Sequence, residues 1–589
     1  MVNKKRSKLL ALLIAGALLL SACATPTPEV IEKVVTQNVE KVITTVVEKV
    51  VTQIVKETVI VKGTPQVVEK KVTEIVEKVV TATPEPAAEE AAVGGTLIIA
   101  ASTEPDTLDV HKSGMGIMST IMSKIGASLV AQDPFTGEYV PYLAESWDIS
   151  EDGLTWDFTL KKGVKFHDGT PLTAQDYAWS FNRATDPATQ SPVTAFMLSY
   201  LASAEALDDY TLRLNLKSPS FPLMSSLSEI AYCSPLPQAA VEELGDQFGR
   251  QPISVGPWKF KEWKTGEKIV LERNPDYNWR PPFMKGGPYI QTIEYRFLPE
   301  YATIVAGLEA GELDLGGIES KDVQRIQDIN KFQIIESVRA GMNPYIQINA
   351  SKPPFDDLRV RKAFNLAVDR QTLIKVVTLG RAVEQRGPVT PATSGYWPGI
   401  EEIGYGYDLA QAQALMAEAG YVAGSDGILE KDGQPLELAL QTSPTNVKVT
   451  EILQQQYKAL GVDLEIEQLE SSTLVGNVLG GEYQIAAFGF NAGEVDILVE
   501  VFGTADIGGI DIPKSNDSKL AELLAATRTT MDPVKRQEVV NAAMTHIVEQ
   551  ALAIPLYTPK SFSALSTRVK EAVISPINAT VWLIDAYVK

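Results

Sequence analysis

Residues 142–183 decide the fold. They read Tyr142-Leu143-Ala144-Glu145-Ser146-Trp147, then Asp152-Gly153-Leu154-Thr155-Trp156-Asp157-Phe158-Thr159-Leu160. Lys161-Lys162-Gly163-Val164-Lys165-Phe166-His167-Asp168-Gly169 follows, and then Pro171-Leu172-Thr173-Ala174-Gln175-Asp176. Asp152-Gly153 is a turn pair, because glycine supplies the positive φ such a turn needs. Trp156, Phe158 and Leu160 alternate with Thr155, Asp157 and Thr159, the period-2 signature of a half-buried strand. A second turn at Asp168-Gly169 leads to Thr173, a helix N-cap with Asp176 three residues on. The stretch therefore predicts strand, turn and capped helix.

Working outward, the chain of 589 residues is long enough for several domains, and 45% hydrophobic with 22% charged residues is ordinary globular composition. A formal net charge of −21 argues against nucleic acid or an anionic membrane surface as partner. At the N-terminus Lys4, Lys5, Arg6 and Lys8 precede an apolar run from Leu9 to Leu20, and Leu20-Ser21-Ala22-Cys23 ends it. The run is too short to span a bilayer and reads as the apolar region of a signal peptide, residues 1–22. Leu-Ser-Ala-Cys resembles the bacterial lipobox, and that resemblance makes Cys23 the acylated N-terminus of the mature protein. The only other cysteine is Cys233. With Cys23 acylated no intramolecular disulfide is possible, and Cys233 reads as a small buried hydrophobe.

Residues 23–93 differ from everything after them. Glu-Lys-Val-Val-Thr-Gln occurs at 32–37 and again at 48–53, and Glu77-Lys78-Val79-Val80-Thr81 echoes it. Apolar positions 31, 35, 39, 42, 46, 50 and 54 approach an eleven-residue repeat, the period of a long helix with a right-handed supercoil. The crowding of Val and Thr opposes an isolated helix. The preferred reading is a low-complexity stalk, ending in the polar linker Pro84 to Glu90.

The globular body begins near Gly94-Gly95. Strands are expected at 96–101, 211–216, 268–273 and 293–297, with a helix from Thr303 to Ala310. Asp356 or Asp357 caps a helix whose inner face is Val360, Ala363, Phe364, Ala367 and Val368. Asp408 caps another, with Ala412, Leu415, Met416 and Ala419 inward and Gly420 at its end. A third stops at Gly461, before a strand carrying Val462, Leu464 and Ile466. Gln484 to Phe490 reads as one nearly continuous apolar strand, buried on both faces. Helices alternating with strands argue for α/β lobes.

The order of the words at 142–183 resembles the bacterial extracellular solute-binding proteins of family 5, which feed oligopeptide, dipeptide and nickel ABC importers. Val255-Gly256-Pro257-Trp258, Glu272-Arg273-Asn274-Pro275-Asp276-Tyr277 and the segment from Asn349 through Pro353-Pro354-Phe355-Asp356-Asp357-Leu358-Arg359-Val360-Arg361-Lys362-Ala363 resemble family motifs too, in matching order over roughly 95–589. The resemblance implies a two-lobed periplasmic-binding-protein-like α/β fold with an additional small α+β domain. It maps lobe I to 95–127, 251–348 and 563–589, the small domain to 128–250 and lobe II to 349–562. It implies a lipid-anchored monomer on the outer face of the plasma membrane. Such a protein captures an oligopeptide-like solute between closing lobes and passes it to permease subunits; an oligosaccharide is the alternative.

In peptide-binding members the ligand pairs with a strand reading glycine, tryptophan, any residue, alanine, aspartate, tyrosine, and the aspartate takes the peptide's α-amino group. Gly489, Phe490, Asn491 and Ala492 match that pattern. Gly493 stands where the aspartate should be, and Glu494 and Asp496 are out of register. The facing wall is expected at Ala127-Ser128, where peptide binders often carry Glu-Gly. Both walls read as less charged than in a peptide binder, and Trp263, Trp279, Trp397, Tyr200 and Tyr483 are available as aromatic platforms.

Little points to covalent chemistry. His111, His167 and His546 lie far apart with no ligand spacing, so no metal and no cofactor is expected. His167 reads as a structural hydrogen-bonder and His546 as partly buried packing. Nucleophile elbow and phosphate loop are both missing. An extracytoplasmic hydrolase and a surface sensor are the rival classes.

Overall fold

The computed structural model describes residues 50–61, 64–75, 92–342, 344–575 and 580–589, with side chains from residue 92 onward. Cys23, the signal peptide and most of the stalk lie outside the described residues. The chain divides into two units, Met1–Glu89 and Glu90–Lys589.

In the first unit Val50–Val61 and Thr64–Ile75 form an antiparallel ribbon, with Val50 opposite Ile75 and Val61 opposite Thr64. The helical period that runs through positions 50 and 54 is thus overridden. β-Branched Val and Thr lose little side-chain freedom in a pleated strand and more in a helix.

The second unit is built on three main sheets. The smallest is antiparallel, in the order Ala144–Ile149, Thr155–Leu160, Thr211–Leu216, Leu201–Asp208. Trp156, Phe158 and Leu160 face inward, with Trp156 opposite Leu214 and Phe158 opposite Leu212. Gly153 adopts φ +70°, and the Asp152 carboxylate accepts from Leu154 N, as the turn pair requires. The helix Ala174–Thr185 buries Tyr177, Ala178, Phe181 and Ala184. At its start the Asp176 carboxylate accepts from both Thr173 N and Thr173 Oγ1, 2.9 and 2.8 Å.

An eight-stranded mixed sheet runs Trp258–Lys264, Lys268–Arg273, Ile290–Phe297, Gly94–Ala101, Leu315–Ile318, Tyr557–Ser566, Phe332–Val338, with Ala382–Glu384 against the start of Tyr557–Ser566. His167 joins this part to the small sheet: its N–H donates to Ser254 O at 2.9 Å and its ring Nε2 lies 3.1 Å from Gly256 O. Burial holds that imidazole neutral, pushed down to about 4.

A five-stranded sheet orders Asp463–Gln468, Glu437–Thr442, Ile485–Ala487, Tyr345–Ile348 and Ala553–Pro555. Asp357 caps Leu358–Leu366 and Asp408 caps Leu409–Glu418, each carboxylate accepting a first-turn N–H at 2.9 Å. The inner face Val360, Ala363, Phe364, Ala367 and Val368 is fully buried. Two strands cross the limits drawn from the sequence. Tyr345–Ile348 pairs inside the five-stranded sheet, and Phe562 and Ser561 pair inside the eight-stranded one.

The expected strand from Gln484 to Phe490 is broken. Ile485–Ala487 stays in the sheet, and Phe490–Asn491 pairs instead with Gly341–Met342. Gly341, at φ +108°, makes the close approach possible: a Cβ there would sit 2.3 Å from Phe490 O.

Among the described residues no helix is long and apolar enough to cross a membrane. Cys233 is free and buried, and burial pushes its thiol up.

Candidate functional site

A cavity of about 870 Å³ separates two stretches that are far apart in sequence. One wall comes from residues 193–232, which lead into and away from the small sheet; the other comes from 491–529. The motif segment contributes Asn491, Ala492, Gly493 and Glu494 to it. Gly489 and Phe490 stand outside the lining. Phe490 packs edge-on against Phe488, ring centroids 5.0 Å apart, and joins an apolar cluster. Core packing, one of the two roles weighed for that ring, is the contact it makes.

The other predicted wall is elsewhere. Ala127 and Ser128 are fully buried and do not line the cavity. Ser128 Oγ lies 2.7 Å from Val130 O and 3.3 Å from Ser228 O, so its hydroxyl serves the backbone of the strand Val130–Gln132 and of the neighbouring helix Leu223–Ser228. That cover, formed by residues a hundred positions later, moves the facing wall to 193–232.

Gly493 is exposed, its backbone lies outside the left-handed region, and a Cβ added there meets nothing within 4 Å. Its carbonyl accepts from Ser394 N at 2.8 Å, and Val495 N donates back to Ser394 O at 3.0 Å. The two acids beyond it are both engaged. Arg528 donates from Nε and Nη2 to the two Asp496 oxygens at 2.7 Å each, and Tyr200 OH donates to Asp496 Oδ2 at 2.6 Å. Arg528 also lies over the Tyr200 ring, 5.3 Å from its centroid. Glu494 accepts from Arg536 Nη2 and from Asp496 N, both at 2.6 Å. Arg536 is in turn fixed by Thr527 O and by the Phe221 ring, 4.4 Å away. Since Tyr200 and Phe221 belong to the first wall, these contacts tie the two walls together. Burial and the Asp496 charge push the Tyr200 hydroxyl far up, so it remains a donor.

The walls are more charged than their motifs suggested. Glu229, Glu494, Asp496, Glu500 and Asp506 line the cavity, against Lys217 and Arg528. Glu500, on the short helix Ile497–Phe502, is pushed up to about 7 by burial first and by neighbouring Asp496 second. Glu229 lines the same cavity and is exposed. Neither was singled out from the sequence, where an isolated glutamate carries no signal.

Of the aromatic side chains considered, only Tyr200 lines the cavity. Trp263 stacks under Arg250 at 3.8 Å, Trp279 donates to Val255 O, Tyr483 donates to Ile512 O, and Trp397 packs against an apolar cluster. His111 is buried beside Arg183 and Asp109, and His546 meets Asp517 at 2.7 Å. The described residues hold no group of three or more His, Cys, Asp or Glu able to bind a metal ion.

Residues 138–498 match the middle region of the bacterial extracellular solute-binding proteins, family 5. The chain is 28% identical over 489 residues to the oligopeptide-binding protein AppA of Bacillus subtilis, covering 80% of this chain and 88% of that one. It is 29% identical over 464 residues to heme-binding protein A of Haemophilus influenzae, covering 74% and 82%. Among solved structures, the ABC transporter-associated periplasmic binding protein DppA of Helicobacter pylori, in complex with the peptide STSA, superposes with a TM-score of 0.66 at 27% identity, over 85% of this chain and 99% of that one. The mixed α/β sheets described above are those of the two-lobed periplasmic-binding-protein fold. With more than half of its length matched, the chain belongs to family 5 of the bacterial extracellular solute-binding proteins.

Proposed function

We propose that this protein is the lipid-anchored substrate-binding component of an ABC importer, and that its solute is an oligopeptide. The observation that supports this reading most is the cavity of about 870 Å³ whose walls are tied by Tyr200, Asp496 and Arg528. Its volume suits a short peptide, and one wall is the segment that pairs with peptides in the relatives the motif resembles. The two lobes close on the ligand, the small domain, taken as 128–250, contributes the wall at 193–232, and the closed form docks on permease subunits. Mass spectrometry of whatever co-purifies with the protein tests the reading: peptides of a few residues are expected, and an oligosaccharide or a haem would overturn it.

The anchor is part of the same proposal. A single short acyl chain binds membranes only marginally, so two or three chains on Cys23 are needed to hold the protein firmly. Cys23→Ser is therefore expected to move the protein from the membrane to the soluble fraction. Unchanged fractionation of the variant would remove the anchor from the proposal and leave the binding function standing.

A further inference from the structure

We propose that the cavity recognises a solute bearing a cationic N–H group remote from its α-amine, an alkylammonium or guanidinium, held by the carboxylate of Glu500. The inference rests on the cavity being the solute site, and it names the chemistry of that solute.

The argument is a pairing account of the walls. Five carboxylates line the cavity. Two are neutralised inside the protein: Asp496 by a bidentate Arg528, and Glu494 by Arg536. Arg528 is further committed to Ile507 O at 2.6 Å, and Lys217 reaches Ser199 O at 2.9 Å. No arginine therefore remains to hold an anionic group. Glu500, Glu229 and Asp506 form neither an ion pair nor a side-chain hydrogen bond among the described residues, and all three open onto the cavity; of the three only Glu500 is not exposed. Removing water around an unpaired carboxylate is costly, and a bound cation relieves that cost. The sequence motif points the same way: Gly493 leaves the α-amine without its usual partner, so the charge recognition in this cleft lies further along the ligand.

The raised Glu500 carboxyl adds a proton linkage. The groups that act on it are Asp496 and Glu494, which hold it up, and Arg528, which pulls it down, with Tyr200 beside them. Above pH 7 it is ionised and ready for a cation; below pH 7 it is largely neutral. Preference for a cationic solute is thus present above about pH 7 and fades as pH falls through it, while binding a cation releases a proton.

The test is calorimetry on the full-length protein at about pH 7.5 and about pH 5.5. The probes are tripeptides differing only in a central lysine or norleucine, each with a free and with an acetylated amino terminus, and the diamine cadaverine. At the higher pH the lysine peptides are expected to bind at least tenfold more tightly than the norleucine peptides, acetylated or not. Glu500→Gln is expected to cut that ratio below about threefold, and Glu229→Gln, at the exposed unpaired carboxylate, is expected to cut it less. Equal binding of the lysine and norleucine peptides would overturn the inference and leave the oligopeptide reading intact. Binding of cadaverine alone would support the cation chemistry and overturn the peptide. Binding of none of the probes would overturn both.

Discussion

Of the five carboxylates that line one cavity, two pairs are treated in opposite ways. Asp496 and Glu494 are locked by arginines at 2.7 and 2.6 Å, and each arginine also touches an aromatic ring on the opposite wall. Glu500 and Glu229 line the same space with no ion-pair partner among the described residues. The first pair holds the walls together; the second stays available for something that comes and goes. An acid in a binding cleft is therefore not by itself a ligand group. What distinguishes the two roles is whether the protein already supplies the counter-charge.

Breaking the locked pair should have the largest effect. Arg528→Ala leaves Asp496 half-buried with only the Tyr200 hydroxyl, and removing one partner of such a buried pair costs about 3–5 kcal/mol. Urea unfolding is expected to show a loss of that order, and Arg528→Lys should recover only part of it, because an ammonium cannot reproduce the two-pronged bond. A loss below about 1 kcal/mol would mean that the pair does not hold the walls.

Among the unpaired carboxylates, Glu500 should make stability depend on pH. Glu500 has a raised pKa in the folded protein, so its contribution to stability is fully present below its unfolded value near 4.5 and is lost as pH rises through about 7. Relative to wild type, Glu500→Gln should therefore gain stability between pH 4.5 and pH 7, by about 1–3 kcal/mol at about 1.4 kcal/mol per pKa unit. Melting curves of both proteins across that range measure it; parallel curves would show that Glu500 is solvated like a surface acid.

The finest change is at Gly493. Because a Cβ there meets nothing and the backbone is ordinary, Gly493→Asp should alter stability by less than about 0.5 kcal/mol. It should make binding selective for free-amine peptides, whereas wild type should distinguish free from acetylated peptides by less than about threefold. A hundredfold preference of wild type for the free amine, about 2.7 kcal/mol, would mean that Glu500 or Glu229 already serves the α-amine.

How much of this was legible in the sequence depended on the range of the interaction. The turn at Asp152-Gly153, the alternation through Trp156 and Phe158 and the Thr173–Asp176 cap are all set by residues within a few positions of one another, and each could be read directly. Asp408 is legible as a cap for the same reason, and the other cap narrows to Asp356 or Asp357, of which the structure uses Asp357. The break between Ala487 and Phe490 was not, because its cause is Gly341, about 150 residues away, approaching the Phe490 carbonyl. Ser128 hydrogen-bonds to Ser228 O, a hundred residues away, and no local pattern announces that contact. Glu229 and Glu500 were invisible in another way: a carboxylate becomes conspicuous only after Arg528 and Arg536 have been assigned to its neighbours. Segments carrying backbone motifs could be found one by one, while the charge balance of the cleft exists only in the assembled fold.

The empty space beside Gly493 also has an evolutionary meaning. A position outside the left-handed region, where an added Cβ meets nothing within 4 Å, imposes no steric penalty on a new side chain. Glycine and aspartate codons can differ by a single base. One mutational step can thus place a carboxylate at position 493 without a steric clash, and the cost that remains is its repulsion by the acids already lining the wall.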